Sequence, residues 1–210
     1  MPPRGRPRNF DRETVLRKAL DVFWRKGFEH TSMADLTAAM GLNPPSLYAA
    51  FGSKEGLFRE VLELYRRHGG NGIWEAVADS ASAREAVAHV LRRSAQAFSH
   101  EDRPPGCLIV LAAPQSEGAS PAICEILREH RTRNISVLRE RFERAVADGE
   151  LAPGTDCQAL ATYLATLQHG MSILARDGAD RAALMSVADT GLAAWDALVS
   201  RPPAPAPDPH

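Results

Sequence analysis

Residues 32–54 read SMADLTAAMGLNPPSLYAAFGSK, the pattern of a short helix, a glycine turn and a second short helix. The first helix is predicted over Ser32–Met40, with Leu36 and Met40 four apart on one face. Gly41 stops it, because glycine suits the left-handed conformation a helix end often takes. Asn43 reads as the next N-cap and Pro44 as the first helical position, where a missing N–H costs nothing. The second helix, Pro44 to Ala50, is barely two turns and too short to stand alone. Leu47 and Phe51, four apart, anchor it and leave its other face free. A short helix with a free face after a tight turn is what a helix-turn-helix presents to a DNA major groove.

The surrounding composition agrees. The chain has 210 residues, 44% of them apolar and 24% charged, as in globular proteins with a real core. Net charge is −1, yet residues 1–68 carry 12 Lys+Arg against 8 Asp+Glu, and the remainder 13 against 18. A basic first third joined to an acidic body suggests a nucleic-acid module fused to something else. Three widely spaced cysteines argue for reduced thiols, and the N-terminus has no apolar signal run, so the expected location is the cytoplasm, at the nucleoid. The longest uncharged run, Cys157 to Ala175, holds Gln158, Thr162, Thr166, Gln168 and His169 and is too polar for a membrane span. No nucleophile elbow, phosphate loop, zincin or dinucleotide motif is present, and the expectation is a protein that is not an enzyme and needs no cofactor or metal.

Four segments organise the chain: a basic arm (1–9), a DNA-binding module (10–68), a body (69–200) and a proline-rich tail (201–210). The arm holds Arg4, Arg6 and Arg8. Its RGRPR segment is similar to an AT-hook core, which inserts arginines into a narrow minor groove; plain phosphate contact is the alternative. Helix 1 is expected over Asp11–Lys26, with acidic residues at its start and Arg25 and Lys26 before Gly27. Phe28 packs back on it. A fourth helix begins near Ser53 and carries Leu57, Phe58, Val61, Leu64 and Tyr65 inward. Gly69-Gly70-Asn71-Gly72 interrupts it, and a helix is expected to resume over Ile73–Ala78.

Gly27-Phe28, Thr31-Ser32, Leu36, Gly41, Ser46-Leu47-Tyr48, Phe51, Ser53-Lys54-Glu55 and Leu57-Phe58 span the module without a gap. Residues 10–65 thereby resemble the DNA-binding domain of TetR-family transcriptional repressors. The resemblance implies an all-α homodimer with a three-helix helix-turn-helix head and a helical C-terminal body that binds an effector and dimerises, about nine helices in all. Carried over by position, the base-facing residues are Pro44, Pro45, Ser46, Ala49 and Ala50, beside the cap Asn43. Tyr48 and Lys54 match phosphate contacts; a packing aromatic and a solvated charge are the plain alternatives. Met33 stands where the family often has a phosphate-binding threonine, and that contact shifts to Thr31 or Ser32. This recognition helix has no Arg, Gln or His, so bidentate base readout is thin. Phosphate grip, DNA shape and the arm carry more.

In the body, helices are expected over Ala83–Ser99, Cys107–Ala113 (CLIVLAA, which all-helical surroundings favour as a buried helix over a strand), Pro121–Asp148, Asp156–Arg176 and Arg181–Val199. Leu160, Leu164, Leu167, Met171 and Leu174 line one side of the fourth, and Leu184, Ala188, Gly191, Trp195 and Val199 one side of the fifth. Together they are the expected dimer interface, or else cover their own core. An effector pocket is expected from Tyr65, Trp74, Phe98, Cys107, Leu111, His130, Asn134, Tyr163, Leu167 and Met171. His130 and Asn134 would fix a polar group of the ligand or be satisfied by the protein itself. Cys107, Cys124 and Cys157 have no paired spacing; thiol or metal sensing stands beside inert buried thiols. The expected partners are double-stranded operator DNA, a second copy and a small-molecule effector, with no membrane. A non-specific architectural DNA binder is the competing reading.

Overall fold

The computed structural model describes residues 11–68, 72–112 and 120–200. The arginine arm and the proline-rich tail lie outside the described residues. Among those described, every regular element is an α-helix, in two compact units, Met1–Gly69 and Gly70–His210.

The first unit holds α1 (Arg12–Lys26), α2 (Met33–Met40), α3 (Pro44–Phe51) and α4 (Lys54–His68). Asp11 caps α1 by accepting from the Glu13 N–H, and Gly27, at φ 76°, ends it. Phe23, Phe28 and Phe58 form an aromatic triangle, with ring centroids 5.9, 4.9 and 5.1 Å apart. It joins α1, the following turn and α4. Leu36 from α2 and Leu47 from α3 are fully buried against this core. Ser32 is the cap of α2, so the helix begins at Met33, one residue after the expected start. Trp24 stands edge-on to Tyr65 at 4.9 Å and closes the other end of the unit.

The second unit holds α5 (Ala83–Phe98), α6 (Leu108–Leu111), α7 (Pro121–Ala147), α8 (Cys157–Arg176) and α9 (Arg181–Val199). No helix resumes over Ile73–Ala78. Residues 72–79 make successive turns, held by Val77 N–H to Trp74 C=O and Ser80 N–H to Val77 C=O, both three-residue spans. Ile73 and Val77, four apart, are still buried, which explains the helical signal. The described residues of the CLIVLAA run form one helical turn, α6. α8 packs against α5, α6, α7 and α9, and α5 packs most extensively on α9. Phe142 and Trp195 meet at 4.8 Å within that core. Two arginines of α5 clasp α9: Arg84 forks onto Asp196 (2.8 and 2.9 Å), and Arg92 holds Asp189 at 2.9 Å. α9 is long and apolar enough by composition to cross a membrane, but its apolar residues divide between a core stripe and an outward face interrupted by these paired aspartates.

Candidate nucleic-acid interface

The turn between α2 and α3 is built by caps. Gly41 takes the left-handed conformation (φ 70°, ψ 30°), and its N–H donates to Thr37. Asn43 Oδ1 accepts from the Ser46 N–H at 2.9 Å, which starts α3 with both prolines in its first turn. Leu47 and Phe51 turn inward. The outward face is Asn43, Pro44, Pro45, Tyr48 and Ala49, all exposed, with Ser46 and Ala50 half-buried at its edges. Tyr48 is 50% exposed, so it is not a core aromatic. Lys54 is half-buried with its Nζ 4.4 Å over the Phe28 ring, a cation–π contact that aims the ammonium along the head's surface.

The two candidates at the start of α2 fare differently. Thr31 is 1% exposed, and its hydroxyl donates to the Gly27 carbonyl at 2.6 Å. Its side chain closes the α1–α2 turn and is turned away from solvent. Ser32 is exposed, but its hydroxyl is committed. It accepts from the Asp35 N–H (3.1 Å) and donates to Asp35 Oδ2 (2.8 Å), while the Ser32 N–H reaches the same carboxylate at 3.0 Å. Lys26 adds an ion pair to Asp35 at 2.6 Å. The Lys26 hydrogen bond, with those from Ser32, holds the Asp35 carboxyl far below the usual carboxylate range.

One residue of this region carried no signal in the sequence. Arg12 places its guanidinium against Glu60 of α4 (3.1 and 2.6 Å), the Ala50 carbonyl of α3 (3.2 Å) and the face of Phe51 (4.5 Å). A lone arginine at a helix start announces none of these partners, 38 and 48 residues away.

The expected dimer stripe is largely core. Leu164, Met171, Leu184, Ala188, Gly191 and Trp195 are buried within the protomer. Leu160, Leu167 and Val199 are half-buried, and Leu174 is 45% exposed. Helical periodicity marks an apolar stripe without saying which neighbour covers it, and here the protomer's own helices do. A Cβ at Gly191 would overlap Leu167, so α8 and α9 approach closely at that glycine. The residues left outward are Tyr163, Ile173, Leu174 and Leu198; with Tyr48 they are the exposed large hydrophobics among the described residues.

The expected effector residues are only partly gathered. Tyr65 is buried in the first unit on Trp24. Cys107, Leu111 and Met171 lie at the α6–α8 contact: the Cys107 N–H donates to Ser172 Oγ at 2.8 Å, and Gly106 packs on Leu111 and Ser172. Met171 is fully buried there. His130 and Asn134 are half-buried on α7, Trp74 is half-buried in the turns, and Tyr163 faces outward. Phe98 lines an open groove of about 840 Å³ between the end of α5, residues 99–105 and the α8–α9 turn. That groove also holds His100, Arg103 and Arg181 and none of the other candidates. Next to α6, the half-buried Arg131 donates to the Ile109 carbonyl at 3.0 Å. Burial lowers its pKa, and the neighbouring Cys124 and Cys107 thiols oppose that shift. His169 is pushed down by burial and then by Arg131. No group of three or more His, Cys, Asp or Glu side chains able to hold a metal comes together among the described residues.

A capped turn, a two-turn helix with an exposed outer face and an all-helical body define a helix-turn-helix regulator. Residues 15–61 match the family model for bacterial regulatory proteins of the TetR family, and residues 83–190 match the tetracyclin repressor-like C-terminal domain. The chain belongs to the TetR family and is a DNA-binding transcriptional repressor. It is 37% identical to the HTH-type transcriptional repressor ComR of Escherichia coli (strain K12) over 93% of this chain and 94% of ComR. It is 30% identical to BdcR, an HTH-type transcriptional repressor of the same strain, over 83% of each. Among solved structures it is similar to a cysteine mutant of the TetR family regulator CifR complexed with 26bp double-strand operator DNA. The TM-score is 0.86 and the identity 47%, covering 90% of this chain and 100% of the other.

Proposed function

We propose that the protein is a homodimeric repressor that grips a palindromic operator through α3 and is released by a small-molecule effector bound in its body. The exposed face made by Asn43, Pro44, Pro45, Tyr48 and Ala49, on a helix of barely two turns, carries the DNA reading. The operator complex of the CifR relative supports it. Pro44, Pro45, Ser46, Ala49 and Ala50 face base edges, Tyr48 and Lys54 take phosphates, and Arg4, Arg6 and Arg8 add the arm. Tyr163, Ile173, Leu174 and Leu198 are the apolar surface that a second copy covers, which sets two α3 helices about 34–36 Å apart or a multiple of that. The protein has no catalytic role and works in the cytoplasm. Selection of bound duplexes from a random library tests this reading. Enrichment of a short palindrome is the expected result, and no enrichment favours a non-specific architectural binder.

A thiol-responsive trigger is a second reading, favoured by Arg131 standing near both Cys107 and Cys124. The CifR relative bound to operator was itself a cysteine mutant. Alkylation with N-ethylmaleimide, followed by mass spectrometry and operator-release assays, tests it. Release that Cys107→Ser or Cys124→Ser abolishes is expected under this reading, and release unaffected by either returns the effector to a non-covalent ligand.

A further inference from the structure

We infer that Arg12 sets the pose of the recognition helix, acting on the C-terminal end of α3 rather than on DNA. One planar guanidinium from α1 reaches two other helices at once. Its Nε and Nη2 fork onto the two carboxylate oxygens of Glu60 on α4, at 3.1 and 2.6 Å. The same Nη2 donates to the Ala50 carbonyl of α3 at 3.2 Å, and the guanidinium carbon lies 4.5 Å over the Phe51 ring. Arginine's rigid fork suits this set of partners, whereas a lysine matches a point charge.

The partner on α3 is a carbonyl of its last turn. Gly52 N–H takes the Tyr48 carbonyl and Ser53 N–H takes that of Phe51. Arg12 takes that of Ala50, next to Phe51, and a cation at a helix C-terminus also complements the dipole. Leu47 and Phe51 fix α3 from beneath. Arg12 holds its end from the flank and, through Glu60, ties that end to α4. The two side chains are 48% and 39% exposed, so the ion pair adds little to overall stability. What it supplies is orientation, and a functional constellation needs its groups placed to within about 0.5 Å.

This inference rests on α3 being the recognition helix. The test uses a duplex selected by the wild-type protein from a random library, and a scrambled duplex of equal length. Fluorescence anisotropy over a salt series gives affinities and salt slopes for wild type, Arg12→Ala, Arg12→Lys and Glu60→Gln; circular dichroism gives melting temperatures. Arg12→Ala is expected to lose about tenfold or more on the selected duplex, the scale of one lost specific contact, with little loss on the scrambled one. Its salt slope and melting temperature should match wild type. Glu60→Gln should shift in the same direction, and Arg12→Lys should fall between. Three results overturn the inference: equal loss on both duplexes with a slope smaller by about one, which marks Arg12 as a direct phosphate contact; wild-type affinity in Arg12→Ala; or losses that follow melting temperature on both duplexes. If wild type selects no duplex, the reading of α3 itself fails and this inference with it.

Discussion

Asp35 shows how much one half-buried carboxylate organises at the residue scale. It receives the N–H and hydroxyl of Ser32 and the ammonium of Lys26, so it fixes the start of α2 and ties it to the end of α1. Its pKa is depressed from 3.8, and the stability it contributes is therefore complete above that value and lost as pH falls through the lower folded value. Asp35→Asn should flatten the acid limb of thermal stability below about pH 4 while the limb above it keeps its shape. Melting temperatures across pH check this; an unchanged acid limb refutes it. A serine followed three residues later by an acid is a local pattern, so this cap is within reach of the sequence, although the predicted helix took Ser32 as its first residue. The fate of Thr31 was not. Whether that hydroxyl faces solvent or Gly27 depends on how Phe28 folds the turn back onto α1.

At the scale of elements, α3 is short and borrows its position. Its end is pressed against the start of α4, where Gly56 leaves room for the Phe51 carbonyl oxygen; a Cβ there would overlap that oxygen. Alanine is the better helix former by about 1 kcal/mol. The obstruction is backbone rather than a movable side chain, so strain wins. Gly56→Ala should destabilise the head by about 1–3 kcal/mol. It should also weaken operator binding, read by chemical denaturation and anisotropy; a stabilised variant with full affinity would show that α3 tolerates displacement. The turns over 72–79 teach the converse. Ile73 and Val77 have helical spacing, but burial of two side chains four apart is satisfied by successive turns as well, and Gly72, at φ 69°, opens the segment off the helical path.

For the whole molecule, the body separates core from exposed apolar surface more sharply than periodicity allows. Trp195 is 1% exposed against Phe142, whereas Ile173 and Leu174 are 50% and 45% exposed on α8. Trp195→Ala should cost about 3–5 kcal/mol of stability through a core cavity. Under the proposed dimer, Ile173→Glu with Leu174→Glu should leave the protomer folded but monomeric, and operator affinity should fall with the loss of the paired heads. Sedimentation and circular dichroism distinguish the two cases. A double variant that stays dimeric places the interface elsewhere.

Nearly all of the helical architecture, α3 included, was legible in the chain, because caps, glycine stops and 3.6-residue apolar spacing act within a few positions of each other. The outward face of α3 followed from the same local rules, since Leu47 and Phe51 leave only one side free. Which apolar stripe of α8 and α9 turns inward was decided only by tertiary packing, as were the burial of Thr31 and the three partners of Arg12. The stripe and the arginine depend on which distant element arrives, and Thr31 on how its turn folds back; periodicity records that a face is apolar without recording what covers it.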